Sequence, residues 1–465
     1  MAESEMDLHS LGNFCHYVGR ERHKAVIDRN SNPNSTHRVA SIVAGKPAIG
    51  ARKGHQVHNP TVKAGALVAG LVLLAACGTN KTEAGAPGQA NGCDTSKGTL
   101  ILGLIAPLSG GQSSIGLGIR NSAQLAVEQA NEKCTVKGYR LVLQPEDDTA
   151  TPQIGIQAAS KLAATDSVVG VIGTYNSSVA QSVQPVLAGK NIVQISPGNT
   201  NPSLTIGPDP AKPKRQFNNY FRTVTTDAYQ GPYAAEYLVG KVGKKSIAIV
   251  TDGKTYGEGL ATEFTKQARQ LGARIVARET VSEKDTDFNG VLAKVKAAKP
   301  DAIYVGSEYP VAAPLSKQAG EAGLNVPVMG GDGIYDQKFI ELGGRKGDLA
   351  TSVGAPTETQ PSAKEFVAAY NQKNYADGYG GFGAFSYDAA NAIITSLANT
   401  LGPNGTWSES QRGALRDQVQ SYKGSGATGD VAFDQYGDST NKVLSVYGVD
   451  NGKWNVIQSG TFIGS

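Results

Sequence analysis

From Thr99 onward the chain alternates, over roughly 300 residues, between short apolar runs rich in β-branched residues and stretches whose apolar residues recur at helical spacing. Residues 99–106 (TLILGLIA) read as a buried strand, residues 116–130 set Ile119, Ala123, Ala126, Val127 and Ala130 on one helical face, and residues 140–144 read as the next strand. Unbroken apolar runs, as opposed to alternating ones, are what a strand covered on both faces requires. Strand, crossover helix and parallel strand make a βαβ unit, and its repetition predicts an α/β fold with parallel sheets.

The first series continues through a helix at 158–162, strands at 168–172 and 192–195, and a helix between them that runs through Val186. A proline-rich loop at 207–213 interrupts it, followed by 221–224. A second series begins at 246–251 (SIAIVT), with strands at 274–281, 302–305 and 326–330 and helices near 258–271, 291–298 and 315–322. The roughly 390 residues after residue 76 exceed what a single core supports, so two domains are expected. The remaining helices, 363–371 and 387–401, and short strands, 431–433, 444–449 and 454–457, are too few for a third. They are expected to complete the existing sheets, with the chain crossing back near Pro356 and again near Gly437-Asp438. The predicted division is 98–223 with 356–437, and 224–355 with 438–465: two doubly wound α/β domains.

The stretch 168–205 carries the strongest functional signal. Its two strands end in Gly173-Thr174-Tyr175-Asn176-Ser177-Ser178 and Ser196-Pro197-Gly198-Asn199-Thr200, clusters of small hydroxyl and amide groups. Ligands of open α/β sheets sit outside the carboxyl ends of the strands. Backbone N–H groups at a helix start, backed by hydroxyls, suit a small anion such as a carboxylate. Any one of these serines alone reads as an N-cap or turn residue; two clusters after neighbouring strands point to a site.

Composition removes most other chemistry. All six histidines precede residue 60, so the main body has no imidazole for a Ser-His-Asp triad or a histidine-rich zinc site. Nine Lys/Arg and five Asp/Glu lie before residue 77, leaving 35 of each beyond it, and nothing points to a nucleic-acid partner. Gly116-Leu117-Gly118-Ile119-Arg120-Asn121 begins like a dinucleotide fingerprint but lacks the third glycine, and no phosphate-binding GxxxxGK[ST] occurs. Glu146-Asp147-Asp148 reads as a solvated edge or a cap for the following helix. No catalytic residue, metal site or cofactor is expected.

Residues 64–76 (AGALVAGLVLLAA) are too short to span a bilayer but fit the apolar core of a signal peptide, preceded by Arg52, Lys53 and Lys63. Leu74-Ala75-Ala76-Cys77 resembles a bacterial lipobox, which makes Cys77 the expected site of lipidation and residues 77–97, rich in Gly, Ala, Thr and Asn, a tether. With so deep a signal, translation is expected to start at a non-Met codon near Val57 or Val62, the upstream part of 1–76 then being an artefact of start assignment. Cys93 and Cys134 are then an even pair in an exported protein, and a disulfide is expected. The helix at 116–130 returns to the edge where the first strand begins, which brings the two together.

Taken in order, the lipobox, IAPLSG, VIGTYNSS, ISPGNTNPSLT, YFRT, YGEGLA and GDVAFDQYGD resemble the leucine/isoleucine/valine-binding protein family over residues 98–465. The resemblance implies the type I periplasmic-binding fold, three hinge crossings, and a solute trapped between two lobes for an ABC importer. It places Ser177, Gly198 and Thr200 on the ligand's α-carboxylate and part of its ammonium, Tyr256 as an aromatic closing from the second lobe, Asp332 on the ammonium, and Phe382 as a further aromatic. Ile115 and Glu308 stand where the family has tyrosines, so the amino-acid clamp is retained while side-chain specificity is altered. Glu308 implies a polar ligand, or neutralisation by a group such as Lys317 or Tyr309, or a wet pocket. The expected partners are an amino acid or similar small solute, ABC permease subunits and, through the lipid, the bacterial membrane; the protein is expected to be extracytoplasmic and monomeric. A sensor ectodomain would use the same fold, but the chain as written ends at Ser465 without a signalling domain.

Overall fold

The structure, a computed structural model, describes residues 92–463; the expected signal, Cys77 and most of the tether lie outside them. The first sheet is built from β1 (Gly98–Ala106), β2 (Tyr139–Asp147), β3 (Val168–Gly173), β4 (Val193–Ser196) and β5 (Tyr220–Arg222). Between them run α1 (Ser113–Glu132), α2 (Pro152–Ala163), α3 (Ser177–Ala188) and the short α4 (Ser203–Ile206). All pairings are parallel, in the order β2-β1-β3-β4-β5. In β3, Val168, Val169, Val171 and Ile172 are wholly buried, each contributing about 1.5–3 kcal/mol relative to exposure.

After α5 (Asp227–Ala235) and a π-helical turn (Glu236–Lys241), the pattern repeats. β6 (Ser246–Thr251), α6 (Thr255–Gln270), β7 (Arg274–Thr280), α7 (Asn289–Ala297), β8 (Ala302–Gly306), α8 (Tyr309–Glu321), β9 (Val328–Gly330), α9 (Gln337–Glu341) and β10 (Leu349–Val353) follow in turn. They give the order β7-β6-β8-β9-β10, the same permutation as the first sheet. Next come α10 (Lys364–Gln372), α11 (Gly383–Leu401) and α12 (Arg412–Gln420), and then a small hairpin, β11 (Lys423–Gly426) with β12 (Gly429–Ala432). Finally β13 (Val443–Asp450) and β14 (Lys453–Thr461) extend the second sheet antiparallel beyond β10.

The chain therefore passes between the sheets three times: after β5, after β10 and before β13. α11 packs on α1, β3 and β4 of the first sheet, whereas α5 packs on α6, β10 and β13 of the second. Sequence periodicity does not reveal α5, β10, β11 or α12. α5 carries Gly231-Pro232, which lowers helix propensity, yet Gly231 is required because a Cβ there would meet the Phe264 backbone nitrogen at 2.6 Å. β10 (LATSV) is short and half polar, and is buried only because β9 and β13 flank it.

Cys93, just before β1, and Cys134, just after α1, form a disulfide with Cα atoms 5.5 Å apart. The acidic run is neither the expected solvated edge nor a side-chain cap for α2, whose N-cap is Thr151. Glu146 pairs with Lys161 at 2.8 Å, and Asp147 receives the N–H groups of Leu108 and Thr149. Asp148 is fully buried, bonded to Ala150 N at 2.8 Å, and burial lifts its carboxyl to about 7.

Candidate functional site

Residues that follow strands of both sheets at their carboxyl ends meet one another. Glu308, between β8 and α8, is 5 % exposed and accepts from Asn176 Nδ2 at 2.8 Å and from Gln112 Nε2 at 3.3 Å. Asn176 follows β3 and Gln112 follows β1, so these bonds join the two lobes. Ser114, bonded to Tyr309 OH at 2.9 Å and Asp336 at 3.2 Å, and Asn201, bonded to Thr255 O at 2.7 Å, add further links. Burial, with Asp252 nearby, raises the Glu308 carboxyl to about 7. The expected neutralising groups are elsewhere. Lys317 is exposed and lies 4.0 Å from Glu321, and Tyr309 OH donates to Gly111 O at 2.5 Å. Neither hydrogen-bonds Glu308, because α8 directs Lys317 away from the cleft.

On the second lobe, Tyr256 OH donates to Asp332 Oδ1 at 2.7 Å and accepts from Gly333 N at 2.9 Å. Gln230 grips Asp332 twice, Nε2 to Oδ1 at 2.9 Å and Oε1 from the Asp332 N–H at 3.0 Å. All these side-chain bonds use Oδ1, which leaves Oδ2 for another partner. Tyr256 occupies this position because α6 starts hard against the end of β8: a Cβ on Gly257 would lie 2.0 Å from Gly306 O. Burial raises Asp332 to about 6 against the pull of the Tyr256 and Gln230 bonds.

The structure adds Asp227 to the cluster. It opens α5, is wholly buried, and receives Gln230 Nε2 at 3.3 Å, while its N–H donates to Thr200 O at 2.9 Å. Burial, and then Asp332, push its carboxyl well up. Thr200 Oγ1 faces it without closing a bond of normal geometry, and Asp227 Oδ2 and Thr200 Oγ1 both lack partners. Thr200, Asp227, Gln230, Asp332 and Tyr256 thus form one connected path across the lobes.

Gly198 lies against aromatic rings: a Cβ there would be 2.7 Å from Tyr175 and 3.6 Å from Phe382. Those rings pack edge to face with centroids 5.0 Å apart. Burial, then the charges of Glu308 and Asp332, raise the Tyr175 phenol. Ser177 is the buried first residue of α3, and Ile115 is buried in the first turn of α1. Neither side chain bonds to the Tyr256–Asp332 pair. Sequence reasoning did not single out Gln112, Tyr175, Asn176, Asp227 or Gln230. Asn176 and Tyr175 stand inside the first polar cluster, whereas Gln112, Asp227 and Gln230 are ordinary loop and helix residues until the fold brings them in.

Two sheets of one permutation, linked by three crossings and facing each other across a polar cleft, define the type I periplasmic-binding fold. The family described as periplasmic binding protein matches residues 99–453, and the chain belongs to it, among the substrate-binding proteins of branched-chain amino-acid ABC transporters. The Leu/Ile/Val-binding protein BraC3 of Rhizobium johnstonii is 30 % identical over 357 residues, which cover 76 % of this chain and 92 % of that protein. A leucine-binding protein LivK from Thermotoga maritima superposes with a TM-score of 0.69 at 25 % identity, covering 77 % of this chain and 98 % of its own. The substrate-binding protein LivJ of Streptococcus pneumoniae, solved with isoleucine, gives 0.68 at 25 % identity, covering 78 % and 99 %. Periplasmic binding proteins are extracytoplasmic. Among the described residues no helix is long and apolar enough to cross a membrane.

Proposed function

We propose that this protein captures an α-amino acid between its two lobes and delivers it to an ABC permease, retained at the membrane by a lipid on Cys77. The observation that carries the reading is Asp332 Oδ2, left unbonded while Oδ1 is held by Tyr256 and Gln230, beside Asp227 Oδ2 and Thr200 Oγ1, which face each other without a closed bond. A zwitterion's ammonium fits the two carboxylates of the second lobe, and its carboxylate fits the start of α3 and the Gly198–Thr200 turn of the first. Because the two ends of the ligand bind different lobes, binding favours lobe closure. Charge-assisted hydrogen bonds among residues this deeply buried are the strong kind.

BraC3 and LivJ are named for aliphatic amino acids, but a buried carboxylate beside an aliphatic side chain is costly. Glu308 therefore favours a ligand with a polar side chain. Thermal-shift screening against the amino acids tests the reading. A ligand at one hundred times its Kd stabilises the native state by about 2.7 kcal/mol, and no shift with any amino acid would refute it. For the anchor, Cys77→Ser is expected to release the protein from the membrane fraction or leave it unprocessed; unchanged retention and mobility would refute the lipid.

A further inference from the structure

Around Glu308 the hydrogen bonds leave an unbalanced remainder. Asn176 Nδ2 donates one hydrogen to Gln112 Oε1 at 2.9 Å and the other to Glu308 Oε1 at 2.8 Å. This fixes the amide's orientation, since turning it over would set Oδ1 against a carboxylate. Asn176 Oδ1 is then left buried without a partner, on a residue only 3 % exposed. Gln112 retains one N–H after donating to Glu308 Oε2, and the Glu308 oxygens keep spare lone pairs. The unmet demand is for donors.

The charges lean the same way. Facing Glu308 are Asp252 and Lys254 from the loop between β6 and α6, Asp332 after β9, the neutral Tyr175 and Tyr256 phenols, and the amides of Gln112 and Asn176. Lys254, the cation of this set, is bridged to Glu283. Asp252 is held by Ser307 Oγ at 2.9 Å and Lys254 N at 2.9 Å, so it does not turn away. Across the lobe, Arg222 is occupied by Asp438. A carboxamide side chain would bring an acceptor oxygen for each pair of donors, and a single Gln112 N–H would have to satisfy it. An ammonium or guanidinium brings donors alone, together with the missing positive charge.

We infer that the side-chain half of the cleft selects a cation, so that the ligand is a basic α-amino acid, with Asn176 and Gln112 as specificity-determining partners of Glu308. This rests on the reading of the cleft as an amino-acid site. Gly333 permits the arrangement, since a Cβ there would lie 3.2 Å from Glu308 Cγ and 2.8 Å from the Tyr256 ring.

The test is calorimetric titration of the purified protein, stripped of carried-over ligand by unfolding and refolding, with L-ornithine, L-lysine, L-arginine, L-glutamine and L-leucine. At least one basic amino acid is expected to bind ten times or more tightly than glutamine and leucine. Glu308→Gln, which keeps the volume, is expected to reduce that preference at least tenfold, and Asn176→Ala to reduce it several-fold. Leucine or glutamine binding as tightly as every basic candidate would overturn the inference while leaving the amino-acid reading intact; binding of no amino acid would overturn both. A fall in all affinities by one common factor in the two variants would mark Glu308 and Asn176 as structural and likewise overturn the inference. Melting curves of the variants establish that they are folded, and the wild-type preference alone suffices if they are not.

Discussion

Arg222 and Asp438, 216 residues apart, form an ion pair of 2.6 Å in which the guanidinium is wholly buried. Arg222 ends β5, at the first crossing between lobes, and Asp438 precedes β13, at the third. The same guanidinium donates to Asn199 O at 2.8 Å, Asn201 O at 2.9 Å and Thr205 Oγ1 at 2.6 Å. It thereby ties the crossing strands to the loop that carries Thr200. Removing one partner of a buried pair leaves an uncompensated charge, so Asp438→Ala is expected to cost about 3–5 kcal/mol. Denaturant unfolding measures this, and a loss below about 1 kcal/mol would contradict the role assigned to the pair.

The clamp on Asp332 predicts a graded pair of variants. Asp332→Ala is expected to weaken amino-acid binding by about 2–5 kcal/mol, thirtyfold or more, with the fold retained. Tyr256→Phe removes one hydroxyl and its two hydrogen bonds, to Asp332 Oδ1 and from Gly333 N, and is expected to cost less, about 1–2 kcal/mol. Calorimetry on the two variants decides; native affinity in Asp332→Ala would place the ammonium elsewhere.

Stability of the ligand-free protein is expected to fall as pH rises from about 5 to 8. Burial holds Glu308 and Asp148 at about 7 and Asp332 and Asp388 at about 6, all above their ordinary values. Between the ordinary and raised values the folded state binds more protons than the unfolded one, so raising the pH removes stability. The contribution is fully present below the ordinary carboxylate range and is lost as pH passes through 6 and 7. Melting temperatures recorded across this range check the sign, and Glu308→Gln is expected to flatten the curve. A melting temperature that climbs toward pH 8 would contradict it.

The Cys93–Cys134 disulfide spans 41 residues, and a loop of that length corresponds to about 2–4 kcal/mol of restriction on the unfolded chain. Cys93→Ser with Cys134→Ser is expected to lower stability by that amount without altering ligand affinity, since α1 and β1 keep their packing. Two free thiols in the denatured, unreduced mature protein, from which Cys15 is removed and in which Cys77 is expected to carry lipid, would show that the bond is absent.

Much of this molecule is determined locally. The apolar runs at 99–106, 168–172, 246–251 and 302–305 are strands because unbroken β-branched sequences suit a sheet covered on both faces. The polar clusters after the strands at 168–172 and 192–195 fall at carboxyl edges for the same topological reason, which is why the stretch with Ser177 and Thr200 was legible as a candidate site, whereas Tyr256 and Asp332 were picked out only by the resemblance to the family. What only the tertiary structure decided are properties of pairs distant in sequence. Glu308 stands out only against the resembled family, as a carboxylate where a tyrosine is found, and nothing near it indicates that Asn176 and Gln112, 132 and 196 residues away, will bind it. Asp227 opens a helix that its own Gly231-Pro232 argues against, and becomes part of the site only because α5 packs on α6. Asp148 reads as part of a solvated edge or a helix cap and is buried. Local periodicity fixes which residues form strands and helices; burial, partner and protonation state depend on which elements meet, and that is set by the whole chain.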